Sequence, residues 1–377
     1  MMRITDLPDD CLLACLARCP YADLRNAVPS TCKQLRDAVA SSAFRKTREA
    51  AGCVEYGVFA TPIDESQSDC FLITESGACR TAPRPPNQAC YFIVCRQDEA
   101  IVMTAHPFSR SMRAHAYNAG QNTWRELAPL VRDRDGESDD KLAGNAAVGC
   151  IGPNVVVLGG GCGENYEPFL RRMDAYDPAE DTWSRLPDLP FDSHNLRVAE
   201  IDGKLFCFGG YRGPDGENED ARRTAVYDPA TRAWTDGPRL PHELWRNEVG
   251  HELVSAYEVS KRLCITGIFK LDDVRNQFST FVWDPARGSW DDFELEIPVP
   301  PVFPRYRGVS QVDGHIALMG SISLYSHEDP PEIHEGSLRV FVLKEGSRNW
   351  TEWALSAMIQ NMVQNNVEHA FRAVRIG

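Results

Sequence analysis

Three cysteines one helical turn apart, Cys11, Cys15 and Cys19 in "LPDDCLLACLARCPYADL" (residues 7–24), are the first side chains with the chemistry of a metal site. Thiolates at that spacing share one side of a helix and could fill three corners of a zinc tetrahedron. A closed site needs a fourth Cys or His, and no histidine precedes His106, so Cys32 or Cys53 would have to fold back. Leu7, Cys11, Leu12, Cys15, Leu16 and Cys19 also read as a single apolar stripe, and a free cysteine packs as a small hydrophobe. A core role for the three thiols is therefore the expectation, and no metal is predicted.

Other reactive-looking stretches have plain explanations. "LGGGCGEN", with Gly159, Gly161 and Gly163, follows a strand as a phosphate loop would, but no helix comes after it. "RDRDGESDD" (132–140) has the acids of a calcium loop, yet Val131 stands at the first ligand position and Leu142 at the twelfth, where a bidentate Glu is required. His242-Glu243 and His251-Glu252 lack the second histidine of a zinc-protease helix. No nucleophile, base and orienting acid stand out, so no catalytic residue and no cofactor is predicted.

The elements that would carry such residues change character near residue 50. Residues 1–50 hold eight Lys/Arg against six Asp/Glu, a balance of +2, which leaves −16 for the rest of a chain of net charge −14. Up to Phe44 apolar residues recur at helical spacing; beyond Cys53 come short alternating or β-branched runs broken by Gly, Pro and Asp. Pro20 should end a first helix, a second should span Ala22 to Ala27, and a third should begin at Ser30 or Thr31, where Thr31 and Gln34 fit a capping box. The expected division is residues 1–50 and 51–377. Such acidity excludes a nucleic-acid surface and argues against an anionic membrane. The 13 cysteines form no disulfide framework, and the start lacks the apolar core of a secretory signal, so a cytoplasmic or nuclear location is expected.

In the long segment a unit recurs. Tyr117-Asn118-Ala119, Tyr176-Asp177-Pro178, Tyr227-Asp228-Pro229 and Trp283-Asp284-Pro285 are each followed, seven residues after the aromatic, by Trp124, Trp183, Trp234 and Trp290. Before them lie "VVVLGG", "KLFCFGG" and "RLCITG", read as inner strands, and a weaker copy has "HIALMG", Phe341 and Trp350. Each unit suits a four-stranded sheet in which Asp-Pro turns the chain and the Trp packs against a neighbouring sheet. One sheet cannot bury both faces alone, so the units must stack about an axis. "VEYGVFA" (54–60) with Ile73 and Arg80 reads as a degenerate first copy lacking one strand, and the terminal "HAFRAVRIG" could supply it, giving six blades.

Two resemblances follow. "LPDDCLLACLARCPYADLRNAVPSTCKQLRDAVASSAF" resembles an F-box, with its Leu-Pro start, acidic turn, paired apolar residues, Cys-Lys and Ser-Ser-x-Phe end; it departs from the pattern at Thr31, usually Val, and Leu35, often Trp. The repeats resemble kelch repeats, and the join "FRKTREAAGCVEYGVFA" is similar to that of plant F-box/kelch proteins. The resemblances imply a mainly β fold: a six-bladed kelch propeller behind a small three-helix F-box domain. They imply a non-catalytic substrate receptor of a Skp-cullin-F-box ubiquitin ligase, with partners a Skp-type adaptor, through it a cullin, and a protein substrate. Leu7, Pro8, Leu12, Leu16, Pro20, Leu24 and Cys32 match F-box positions that face the adaptor or the helical core. A propeller scaffold without a ligase role is the alternative, and a kelch-fold oxidase or epimerase a more remote one. The links "FDSHNLR", "PHELWRNE" and "PVFPRYRG" should bring His194, Arg197, Trp245, Arg246, Arg305, Tyr306 and Arg307 to one rim, where arginines and aromatics would hold an acidic substrate segment.

Overall fold

A computed structural model describes residues 6–19, 24, 28–62, 70–75, 79–84, 92–96, 99–105, 111–119, 121–131, 146–159, 171–191, 194–211, 222–241, 255–259, 261–270, 276–292, 304–312, 315–325, 333–344, 350–353 and 369–376. Among the described residues the amino-terminal part has three helices of two turns or more, α1 (Asp9–Leu16), α3 (Lys33–Ala40) and α4 (Ser42–Ala50), with the single turn α2 (Val28–Thr31) between the first two. Asp9 and Asp10 occupy the positive end of α1, a favourable place for carboxylates. Leu12, Leu16, Ala17, Leu24, Leu35 and Phe44 form the core. Between α3 and α4 the chain breaks at Ser41, whose hydroxyl accepts the Phe44 N–H at 3.1 Å as an N-cap.

Two expectations are corrected here. Cys11 and Cys15 are exposed and Cys19 only partly buried, because Leu12 and Leu16 take the inward positions and each thiol, one residue earlier, is turned about 100° away around the helix. The Thr31 capping box does not form: Cys32 is the N-cap of α3 without a side-chain bond, and the Thr31 hydroxyl donates to Val28 O at 2.6 Å. Of the expected helix at Ala22 to Ala27, Leu24 alone is among the described residues, and it is helical.

The described residues from Glu55 onward build six antiparallel four-stranded sheets. The first blade holds β1 (Glu55–Pro62), β2 (Cys70–Thr74) and β3 (Cys79–Ala82); the second, β4 (Phe92–Arg96), β5 (Glu99–Ala105), β6 (Ser111–Asn118) and β7 (Thr123–Val131). The third has β8 (Ala146–Ile151), β9 (Asn154–Gly159), β10 (Met173–Asp177) and β11 (Thr182–Leu186); the fourth, β12 (His194–Ile201), β13 (Lys204–Tyr211), β14 (Ala225–Asp228) and β15 (Ala233–Asp236). The fifth has β16 (Ser255–Val259), β17 (Arg262–Lys270), β18 (Asn276–Asp284) and β19 (Ser289–Asp292); the sixth, β20 (Pro304–Val312), β21 (His315–Tyr325), β22 (Ile333–Leu343) and β23 (Trp350–Trp353). The last strand, β24 (His369–Ile376), pairs with β1 from Glu55↔Ile376 to Pro62↔His369, so the first blade joins both ends of the propeller. Strands β24, β4, β8, β12, β16 and β20 touch in a closed ring around the axis.

The diglycine runs are thus the second strands of their blades, not the innermost. In "VVVLG" every residue from Val155 to Gly159 is buried, as expected for a strand covered on both faces and both edges, whereas the true inner strand "HNLRVAEI" carries polar residues and does not read as core. Inner strands approach closely: a Cβ on Gly149 would lie 2.5 Å from Val198 Cγ2 of the next blade, so any larger residue would force Val198 to move.

The Tyr/Trp spacing has a clear geometry. Tyr117, Tyr176, Tyr227 and Trp283 lie directly opposite Trp124, Trp183, Trp234 and Trp290 across a four-residue turn. Asp177, Asp228 and Asp284 accept a backbone N–H two residues on, and Asn122, Asp181, Arg232 and Gly288 close the turns with positive φ. Each tryptophan reaches the preceding blade: Trp124 Nε1 donates to Pro83 O (2.7 Å), Trp183 to Ala128 O (2.8 Å), Trp234 to Pro187 O (3.0 Å) and Trp290 to Arg239 O (2.7 Å). The degenerate copies need re-registering. In the first blade Ile73 faces Cys79 and Arg80 faces Leu72, because the hairpin is one residue shorter; in the sixth, Trp350 faces Leu343 and not Phe341.

Candidate functional site

The F-box residues singled out from sequence fall into two groups. Leu12, Leu16 and Leu24 are buried, at 1%, 3% and 3% exposure, and hold the helices together. Leu7 is half-buried, and the neighbouring Pro8, Asp9, Asp10 and Cys11 are exposed, so the entry to α1 presents a surface. Cys32 is half-buried at the start of α3, and Pro20 lies outside the described residues.

Arg48, missed in the sequence, ties this domain to the propeller. It is 1% exposed, and its Nη1 donates to Ala17 O (3.2 Å) and Cys19 O (2.8 Å), the carbonyl end of α1. Its Nη2 meets Glu55 Oε1 at 3.3 Å, at the first residue of β1. A cation at a helix C-terminus is favourable, and this one also satisfies carbonyls that α1 leaves unpaired. Gly52 at φ +63° ends α4, with Cys53 N bonded to Arg48 O at 2.9 Å, so the link into β1 is hydrogen-bonded as well. Its sequence signal is weak: one Arg four residues after Phe44, among four other Lys/Arg between residues 33 and 48.

Antiparallel pairing gives the propeller two unlike ends. First-to-second strand turns are two residues long and third-to-fourth turns four to six, and both kinds lie at one end; the remaining links, of five to eighteen residues, all lie at the other. Because β1 starts opposite the last residue of β24, the F-box enters at the short-turn end. There the Glu200 carboxylate accepts the Gly152 N–H (3.0 Å) and Glu258 accepts the Asp202 N–H, each from the blade before. Burial raises the Glu200 carboxyl above the usual carboxylate range, the Gly152 N–H opposes this, and the nearby Glu258 charge adds to the rise.

At the long-link end, His194 and Arg197 stand in the first half of β12 and Arg305, Tyr306 and Arg307 in that of β20, the inner strands of the fourth and sixth blades. The register shifts between Tyr306 and Gly308, leaving Arg307 as the extra residue of a bulge, a device that re-aims side chains. Arg197 is half-buried, and Trp245 and Arg246 lie outside the described residues. The backbone therefore puts the links of the fourth and sixth blades at the same mouth of the axis.

Reactive side chains inside the fifth blade are buried. The Tyr257, Thr266 and Thr280 hydroxyls form a buried chain with steps of 2.7 Å, and burial pushes the Cys264 thiol up to about 12. Among the described residues no three His, Cys, Asp or Glu side chains are placed to hold a metal ion, and no helix is long and apolar enough to cross a membrane. The "RDRDGESDD" loop and the His-Glu pairs at 242–243 and 251–252 lie outside those residues.

Comparison with known proteins agrees with this architecture. The family model for the F-box domain matches residues 4–47, and that for the kelch motif matches residues 143–190 and 193–241, which bracket the third and fourth blades. A kelch-like protein of Aspergillus terreus is 32% identical over 117 residues, 30% of this chain and 24% of its own length. A putative F-box/kelch-repeat protein of Arabidopsis thaliana is 25% identical over 158 residues, 42% of this chain and 39% of its own. Kelch-like protein 21 of Rattus norvegicus is 35% identical over 78 residues, 20% and 13% of the two chains. The matched stretches thus span well under half of each relative's length. With helices that match the F-box, a third and fourth blade that match the kelch motif and a last strand that closes six blades into a ring, the chain carries an F-box domain followed by kelch repeats in a β-propeller.

Proposed function

We propose that this chain is a non-catalytic substrate receptor of a Skp-cullin-F-box ubiquitin ligase, working in the cytoplasm or nucleus. The F-box docks a Skp-type adaptor through Leu7, Pro8 and the surface at the entry to α1, and the adaptor brings the cullin. Leu12, Leu16, Leu24 and Cys32 act by holding that surface in shape. The propeller holds the protein to be modified at its long-link end, where Arg197, Arg246 and Arg307 grip an acidic segment and His194, Trp245, Arg305 and Tyr306 line the rim. The observation that carries this reading is the placement of the F-box at the short-turn end, with the long links at the opposite mouth.

Affinity capture of the full chain tests it. Adaptor and cullin should co-purify with the native chain and be lost from the Leu7→Ala/Pro8→Ala double variant, while the propeller still melts normally. Equal adaptor recovery from both, or none from either, refutes the docking assignment; capture of filament proteins instead would favour the scaffold reading. Arg197→Glu/Arg246→Glu/Arg307→Glu should lose the substrate and keep the adaptor, and a collapse in stability would show that these arginines serve the ring.

A further inference from the structure

The basic side chains are strongly biased. Of 40, only seven are lysines, Lys33, Lys46, Lys141, Lys204, Lys261, Lys270 and Lys344, and the other 33 are arginines, although lysine is ordinarily among the commonest residues. The lysines fall in three places. Lys33 and Lys46 are exposed on α3 and α4 of the F-box. Lys204, Lys261 and Lys344 all stand at the short-turn end: Lys204 Nζ is 2.8 Å from Asp228, Lys261 Nζ 4.0 Å from Asp202, and Lys344 bonds Glu75 of the first blade. The Asp228 hydrogen bond also holds the Lys204 ammonium above its ordinary range, leaving less free amine. At the long-link end stands Lys270, the last residue of β17, and the link from β7 to β8 that carries Lys141 runs at the same end, although Lys141 itself lies outside the described residues. Exposed positive charge at that end is supplied by arginines such as Arg113, Arg171 and Arg239.

Ubiquitin transfer separates the two residue types. A deprotonated lysine amine attacks the carbonyl carbon of a ubiquitin thioester, the C–N bond forms as the C–S bond breaks, and the amine proton leaves with the departing thiol. A guanidinium stays protonated at physiological pH and offers no nucleophilic lone pair, yet still binds carboxylates and phosphates bidentately. Arginine therefore supplies recognition without an acceptor. We propose that the substrate-holding end of this propeller is built as a non-acceptor of ubiquitin, so that thioester held beside it is discharged onto the bound protein and not onto the receptor. This rests on the ligase reading above.

The test installs acceptors without changing charge. Full-length chain is assembled with adaptor, cullin–RING module, activating and conjugating enzymes and ubiquitin, and compared with Arg113→Lys/Arg171→Lys/Arg239→Lys. A small N-hydroxysuccinimide ester confirms that the three new amines can be acylated. The native propeller should carry little ubiquitin and the variant several-fold more, mapped to the installed lysines. The proposal is overturned if native Lys141 or Lys270 is modified as fast as the installed residues. It is equally overturned if the accessible installed lysines stay unmodified while the complex builds free ubiquitin chains. If neither chain recruits adaptor and cullin, the ligase reading itself fails and this inference with it.

Discussion

Replacing Arg48 with methionine keeps most of the side-chain volume and removes the guanidinium that joins α1 to β1. Ala17 O would be left buried without its donor, a loss of about 1–3 kcal/mol, and the wetter Cys19 O would lose a bond worth about 0.5–1.5 kcal/mol. The ion pair adds little, since Glu55 is 36% exposed and such pairs contribute about 1 kcal/mol or less. Arg48 Nε is buried without a partner, which offsets part of the gain from the native pairings. Together these give a loss of about 2–4 kcal/mol. A segment of 50 residues has only about 2.5–7.5 kcal/mol of stability to lose, so the F-box should loosen while the propeller stays folded. Hydrogen exchange should show amides of α1 and α4 losing protection while β9 and β13 keep theirs, and adaptor binding should weaken. Glu55→Gln is the control and should cost less than about 1 kcal/mol. Equal, small effects of the two substitutions would refute the claim that the buried carbonyl bonds, and not the ion pair, make the joint.

Three further outcomes are expected. Trp183→Phe removes the indole bond to Ala128 O and should cost about 0.5–1.5 kcal/mol in urea unfolding, against about 3–5 kcal/mol for Trp183→Ala; no loss in the phenylalanine variant would mean the bond between blades does not stabilise the ring. Deleting His369–Gly377 removes the pairing partner of all eight residues of β1 and exposes an edge, so the protein should aggregate or melt well below the full chain, and an unchanged melting temperature would contradict closure through β24. The Asp181 carboxyl is held below its usual range by the Ala128 N–H and then by the Tyr176 hydroxyl, itself pushed up to about 12 mainly by burial; a depressed carboxylate contributes stability above its unfolded pKa and loses it as pH falls through the folded one, so below about pH 4 the native chain should lose melting temperature more steeply than Asp181→Asn.

What could be read from the sequence was whatever local chemistry dictates. Tyr-Asp-Pro and the Trp seven residues later fix a turn and a cross-strand pair within a dozen residues, so four blades stood out and their order followed. The errors came where position depends on partners distant in sequence. Cys11 and Cys15 share a stripe with Leu12 and Leu16, and only the packing of Leu24, Leu35 and Phe44 decides which side turns inward. Arg80 keeps the seven-residue spacing from Ile73 but faces Leu72, because loop length sets register and no residue type announces it. Arg48 looked like any surface base until the carbonyl end of α1 folded back onto it.

The same division explains why the docking end is easier to identify than the substrate. Short turns are specified by their own residues: Gly203 at φ +71° after Asp202, or Asp284 bonded to the Ala286 N–H, allow few replacements. The F-box joins at that end through residues likewise bound by packing, so its pattern persists in the sequence. Links of five to eighteen residues carry no such constraint, and one sequence of them reveals composition and little else. Composition is nonetheless informative when a chemical distinction divides it, as the amine and the guanidinium do. A face that binds acidic groups beside a reactive thioester, as proposed for this propeller, can use arginine freely and lysine only at the risk of being acylated, and the whole chain has 33 arginines and seven lysines.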